Sequence, residues 1–117
     1  MDMTVQVEHL PGWVVARVQG EVDVATAPRL REQLIRVISD GGTNVVLDLD
    51  GVEFLDSTGL GVIVGLLKRT RTMGGDLRLV CTRPPIRKVF EITALDRTMP
   101  LAESVDAAVS GTPVAGG

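Results

Sequence analysis

Apolar and polar positions alternate from the start of the chain. Val5 and Val7 share one face with His9, while Gln6 and Glu8 take the other. Leu10-Pro11-Gly12 then reads as a turn, and from Trp13 to Gly20 the alternation resumes with Val14, Ala16 and Val18 on one side. Two strands joined by a short turn make an opening hairpin. After Gly20-Glu21-Val22-Asp23 the period changes from two to that of a helix. Thr26 and Pro28 suit a helix start, because proline is tolerated in the first turn. Leu30, Leu34, Val37 and Ile38 fall at i, i+4, i+7 and i+8, one face of a helical wheel. Arg29, Arg31, Glu32 and Arg36 occupy the remainder, and Gly41-Gly42 ends the helix.

Val45-Val46-Leu47-Asp48-Leu49 is almost continuously apolar and bounded by turn residues, the pattern of a strand covered on both faces. It is expected at the centre of a sheet. A second helix runs to about Thr72, with Leu60, Val64 and Leu67 on one face. Lys68, Arg69 and Arg71 lie in its last turns, where cations suit the helix dipole, and Gly74-Gly75 closes it. Leu77 to Cys81 is a further strand. Pro84-Pro85 opens a short helix carrying Ile86, Val89 and Phe90, Met99-Pro100-Leu101 forms a brief last strand, and Ser104 caps a final helix through Val109. Strands separated by helices imply parallel pairing through right-handed crossovers, with the hairpin adding antiparallel pairing at one side. The expected fold is α/β: a small mixed β-sheet packed by about four helices, in one domain over residues 4–110. Residues 111–117, Gly-Thr-Pro-Val-Ala-Gly-Gly, bury too little to order themselves and are expected to be a disordered tail.

Composition narrows the function. At 117 residues, with 44% hydrophobic and 23% charged positions, the chain has the makings of one soluble globular domain. Aromatics amount to 3%, which leaves an aliphatic core and few rings for stacking on single-stranded nucleic acid. A net charge of −3 gives no general attraction to nucleic acid or anionic membrane. The longest apolar stretch, around Leu60 to Leu67, is far shorter than the roughly 20 residues of a membrane span, and the N-terminus has no signal-like core. One cysteine, Cys81, forms no internal disulfide and suits a reducing compartment. A cytoplasmic protein without nucleic-acid or membrane partners is expected.

Candidate chemistry concentrates at Phe54-Leu55-Asp56-Ser57-Thr58-Gly59-Leu60-Gly61. If a helix starts there, unpaired N–H groups and the positive end of the dipole favour a phosphate on Ser57 or Thr58. The same residues also serve as ordinary helix caps. Gly59 and Gly61 cost helical stability that a plain cap does not require; they either flatten a contact surface or, with Gly65, pack tightly on the sheet. A dinucleotide fingerprint fails, since the third glycine, Gly65, is one place late and no acidic residue ends the next strand. A nucleophilic serine fails as well, because the setting is not G-x-S-x-G and the sole histidine, His9, lies by the hairpin turn. Asp48, Asp50, Glu53 and Asp56 match no cation loop and read as solvated strand-end and loop acids. Arg83, Arg87 and Lys88 read as a solvated face, and Cys81 as a small buried residue. No cofactor or metal is implied.

The chain resembles the STAS domains, and within them the single-domain bacterial anti-sigma factor antagonists. The resemblance runs from about Val5 to Val109. It is carried by Gly20-Glu21-Val22-Asp23 with Thr26-Ala27, by Val46-Leu47-Asp48-Leu49, by the Phe54 to Gly61 block and, more weakly, by Thr93-Ala94-Leu95-Asp96. It implies a switch and not an enzyme. Ser57 would be the phospho-acceptor, with Thr58 a lesser one, and Glu21, Asp23, Asp56, Ser57, Thr58, Gly59, Leu60 and Gly61 would form the partner-binding surface. The implied partners are an anti-sigma factor that is a serine kinase with a histidine-kinase-like ATP-binding fold, and a PP2C-type phosphatase. The implied state is a monomer or weak dimer. The competing reading is a STAS regulatory or small-ligand or nucleotide-binding module not controlled by phosphorylation.

Overall fold

The computed structural model describes residues 2–110, so the expected tail lies outside the described residues. The order of elements is β1 (Met3–Leu10), β2 (Trp13–Val22), α1 (Ala27–Ser39), β3 (Asn44–Leu55), α2 (Ser57–Thr72), β4 (Asp76–Val80), α3 (Pro84–Ile92), β5 (Leu101–Ala102) and α4 (Val105–Ser110), with one 3-10 turn at Leu95–Arg97. The five strands form one sheet in the order β1-β2-β3-β4-β5. β1 and β2 pair antiparallel across the Pro11-Gly12 turn, and every later pair is parallel. This is the expected mixed α/β fold, with β3 in the middle.

β3 is longer than its apolar run suggests. The sequence pattern supports Val45 to Leu49, whereas the strand continues to Leu55 because β2 keeps pairing with it: Gln19 with Gly51, Gly20 with Val52, Glu21 with Phe54 and Val22 with Leu55. Two register shifts, between Arg17 and Gln19 and between Gly20 and Glu21, absorb the residues that spoil the alternation. Gly20 lies at one of them with φ +101°, and a Cβ there would stand 2.1 Å from the Asp2 carbonyl oxygen. Asp48, Asp50 and Glu53 are therefore strand residues and not loop acids.

The main core lies between one face of the sheet and helices α1, α2 and α3. Ala16, Val18, Leu47 and Leu49 meet Leu30, Leu34 and Ile38 of α1, Ile63 and Leu66 of α2, and Phe90 of α3. A smaller cluster of Val15, Val46, Val80 and Ala108 places α4 on the opposite face. The buried stripe of α2 runs through Leu60, Ile63, Leu66, Leu67 and Thr70, while Val64, expected in that stripe, is only half-buried. Among the described residues no helix is long and apolar enough to cross a membrane.

The entry to α1 is built from side chains. The Asp23 carboxylate accepts the N–H of Ala25 at 2.9 Å and of Thr26 at 3.0 Å. The buried Thr26 hydroxyl donates to the Glu21 carbonyl at 2.7 Å and accepts the Asp23 N–H at 3.0 Å. These contacts, first the N–H of Thr26, hold the Asp23 carboxyl below its ordinary value of 3.8. Stability from this group is complete above the unfolded carboxyl's ordinary range and is lost as pH falls from there through the lower folded value.

Two measurements follow from this packing. Phe90→Ala, at a fully buried site, should destabilise the fold by about 3–5 kcal/mol, read as a lowered urea midpoint at unchanged m. Asp23→Asn should make the melting temperature fall less steeply between pH 5 and pH 2 than it does in the wild type, since the amide keeps an acceptor but no longer titrates. An unchanged acid limb would show that Asp23 is not the titrating group.

Candidate functional site

The end of β3 and the start of α2 meet the end of β2 at one joint. The N–H of Asp56 donates to the Val22 carbonyl at 3.2 Å, and the next turn begins with Leu60 N–H to the Asp56 carbonyl at 2.9 Å. Asp56 itself has extended backbone angles, and its carboxylate accepts the Gly59 N–H at 3.0 Å. Asp56 is therefore the cap of α2, and Ser57 is the first helical residue.

This settles which of Asp56, Ser57 and Thr58 caps α2. Capping falls to Asp56 alone, which leaves the Ser57 and Thr58 side chains exposed, with neither hydroxyl engaged by another described residue. The two glycines also separate. A Cβ on Gly59 would stand 2.6 Å from Val22 Cγ1 and 2.7 Å from Leu55 Cδ1, so Gly59 is a packing residue that lets the helix sit against β2. A Cβ on Gly61 or Gly65 would meet nothing within 4 Å, so tight packing on the sheet explains neither.

The other expected site residues are unevenly presented. Glu21 pairs with Phe54 across β2 and β3 and is half-buried, as is Asp23, whose carboxylate is committed to the α1 entry. Leu60 is turned into the core at 8% exposure, so it supports the surface from beneath and offers no side chain to a partner. Two apolar residues that the sequence reading missed lie at the joint: Val24, 71% exposed, two residues past the Val22 carbonyl, and Phe54, 48% exposed, two residues before Asp56. Phe54 was legible, since alternation through Leu55 turns it outward; Val24, in an irregular loop, carried no such signal.

The remaining candidates have separate structural tasks. His9 is an exposed β1 residue opposite Val14, beside the start of β3, whereas Ser57 follows its end, so no histidine reaches the serine. Asp48 accepts the Asp50 N–H at 3.0 Å and faces Arg17 at 3.7 Å; Asp50 accepts the Thr82 N–H at 2.7 Å and its hydroxyl at 3.0 Å. The four acids are thus dispersed, and among the described residues no group of three or more His, Cys, Asp or Glu could hold a metal. Arg87 is half-buried and donates to the Cys81 carbonyl at 2.7 Å, so it braces the start of α3 and is not part of a solvated face. Cys81 is fully buried, and burial, with help from the Asp50 charge, pushes its thiol up.

Known proteins share both sequence and fold with this chain. Residues 4–108 match the STAS domain. The anti-sigma-B factor antagonist of Bacillus subtilis is 36% identical over 95 residues, covering 81% of this chain and 86% of that protein. The crystal structure of an anti-sigma factor antagonist from Mycobacterium paratuberculosis superposes with a TM-score of 0.85 at 34% identity, covering 93% of this chain and 92% of that one. The phosphorylated form of the Bacillus cell fate determinant SpoIIAA superposes at 0.70 with 27% identity, covering 92% and 97%. With a family match over nearly its whole described length, this chain belongs to the STAS domain family.

Proposed function

We propose that the chain is an anti-sigma factor antagonist, a cytoplasmic binding switch and not an enzyme. It binds its anti-sigma factor through the surface around Ser57 while that hydroxyl is bare, so freeing a sigma factor, and loses the partner when Ser57 is phosphorylated. The observation that carries this reading is the division of labour at the head of α2: Asp56 caps the helix, and the exposed Ser57 hydroxyl has no structural task. The curated relatives' names support the partner class. The anti-sigma factor is a serine kinase with a histidine-kinase-like ATP-binding fold, which transfers the terminal phosphoryl group of ATP to Ser57 Oγ. A PP2C-type phosphatase removes it by hydrolysis. Glu21, Asp23, Asp56, Ser57, Thr58 and Gly61 form the polar contact surface, Val24 and Phe54 flank it, and Gly59 and Leu60 hold it from beneath.

Electrostatics makes the modification decisive. Phosphate brings about −1.5 to −2 charges to a site that already holds Glu21, Asp23 and Asp56, so a partner fitted to the bare hydroxyl meets repulsion and an added desolvation cost. The fold is spared, because Ser57 is exposed and the dipole of α2 stabilises an anion at its first turn.

Pull-downs from a bacterial lysate with wild type, Ser57→Ala and Ser57→Asp as baits, read by mass spectrometry, test the switch. Wild type and Ser57→Ala should retain a kinase-fold anti-sigma protein that Ser57→Asp loses; equal retention by all three baits would sink the proposal. The phosphorylated protein should keep its stability within about 1 kcal/mol, measured by urea titration. Gly61→Ala tests the surface separately. It should stabilise the free protein by about 0.5–1 kcal/mol, since alanine is the better helix former and the added methyl meets no neighbour, yet weaken binding to the purified anti-sigma factor in titration calorimetry. Unchanged affinity would place Gly61 outside the interface.

A further inference from the structure

The edge of the sheet opposite β5 is long and regular. β1 runs eight residues against β2 without a register shift, contains no proline, and among the described residues has no strand on its outer side. Its pairing shows which peptide groups remain open. Glu21 N–H donates to the Asp2 carbonyl, so residue 2 turns towards β2, while the Met3 carbonyl turns outward and accepts Arg29 Nη2 at 2.8 Å. Alternation then leaves the N–H and C=O groups of Val5, Val7 and His9 on the free edge.

Beside that edge lies a groove of about 240 Å³ between β1 and α1, lined by Val5, Val7, Gln33, Arg36, Val37 and Asp40. Val7 is 42% exposed there, and the Gln33 side-chain oxygen is buried with no hydrogen-bond partner in the described structure. An extended strand laid along β1 would satisfy the peptide groups and cover the valines.

We propose that this strand is β1 of a second copy of the chain, paired antiparallel about a two-fold axis. Three features single out that occupant. First, open peptide groups recur at every second residue, so Val5 can lie opposite Val7 of the second copy while Gln6 lies opposite Gln6. The valines then form one stripe across the axis, and Glu8 falls opposite Thr4 and not another acid. Second, the flank of α1 carries Arg29, Glu32, Arg36 and Asp40, alternating positive and negative, with Glu32 and Arg36 already 3.5 Å apart within the chain. Two antiparallel copies of that order bring Glu32 towards Arg36 and Arg29 towards Asp40 in both directions, the self-complementarity that a two-fold axis requires. Third, the pairing closes, because it consumes both β1 edges and leaves only the two-residue β5 edges at the outside. This goes beyond the switch proposal and does not depend on it.

Sedimentation equilibrium on the full chain, from about 10 µM to 1 mM, tests it. The weight-average mass of wild type should rise from one chain to two and stop. Val7→Lys, a change at an already exposed side chain, should raise the dissociation constant at least about tenfold, since it places a charge in the stripe. Glu32→Arg should do the same by setting like charges opposite each other, and the double variant Glu32→Arg/Arg36→Glu should restore dimerisation. Melting curves confirm that each variant is folded, and the two charge variants keep the test intact if Val7→Lys is not. A wild type that stays monomeric throughout overturns the proposal, including the case in which the edge receives a strand from another protein. So do a mass that grows past two chains and charge variants that dimerise as wild type does.

Discussion

The seat of Gly59 on Val22 and Leu55 is the constraint on which the rest of the site depends. Only a residue without a Cβ allows the first turn of α2 to approach the end of β2 this closely. That approach sets the Asp56 N–H against the Val22 carbonyl, fixes the direction in which the helix leaves the sheet, and presents Ser57 outward at the first helical position. A larger residue at 59 would push against the backbone of β2 as well as two core side chains, so it would move Ser57 together with the surface around it. Position 59 thus shapes the surface around Ser57 through geometry alone.

On the proposed switch, the joint also explains how Ser57 could take a phosphate without endangering the domain. Stability resides in two layers set back from it, the large cluster under α1, α2 and α3 and the small one under α4. Two of the three acids near Ser57 have fixed employment that does not change when the serine does: Asp56 holds the Gly59 N–H, and Asp23 holds the start of α1. Their charges are therefore held at the surface by backbone hydrogen bonds and cannot swing away to relieve an added phosphate. Repulsion falls on whatever approaches from outside, which is the condition for a binding switch that leaves the fold standing.

Much of this was legible in the sequence where one period ran undisturbed. Alternation gave the hairpin, the i, i+4, i+7, i+8 pattern gave α1, and the apolar run at Val45 to Leu49 gave a central strand. Legibility failed where pairing overrode local pattern. Asp50 and Gly51 look like the end of a strand, but β2 continues beside them and two register shifts accommodate the mismatch, so β3 reaches Leu55. In α2 the glycines and hydroxyls blurred the wheel, and Ile63 and Leu66 proved to be buried in the core while Val64 packs at its margin. At the site, the sequence offered three residues fit to cap one helix and could not choose among them, because the choice depends on the extended backbone at Asp56. It likewise offered Gly59 and Gly61 as a pair, although one is pinned by β2 and the other stands in open space.

That last contrast bears on function more directly than any single contact. A glycine inside a helix lowers stability by about 1 kcal/mol relative to alanine, and Gly59 has a reason for it in the structure. Gly61 and Gly65 have none: both are exposed, one turn apart, on a face where a methyl group would touch nothing. A chain shaped by its own packing alone would gain from alanine at both positions. The two glycines leave the outer face of α2 low and its backbone approachable next to Ser57, and in the proposed switch the binding of a partner to the bare form is the step in which a low surface has a use.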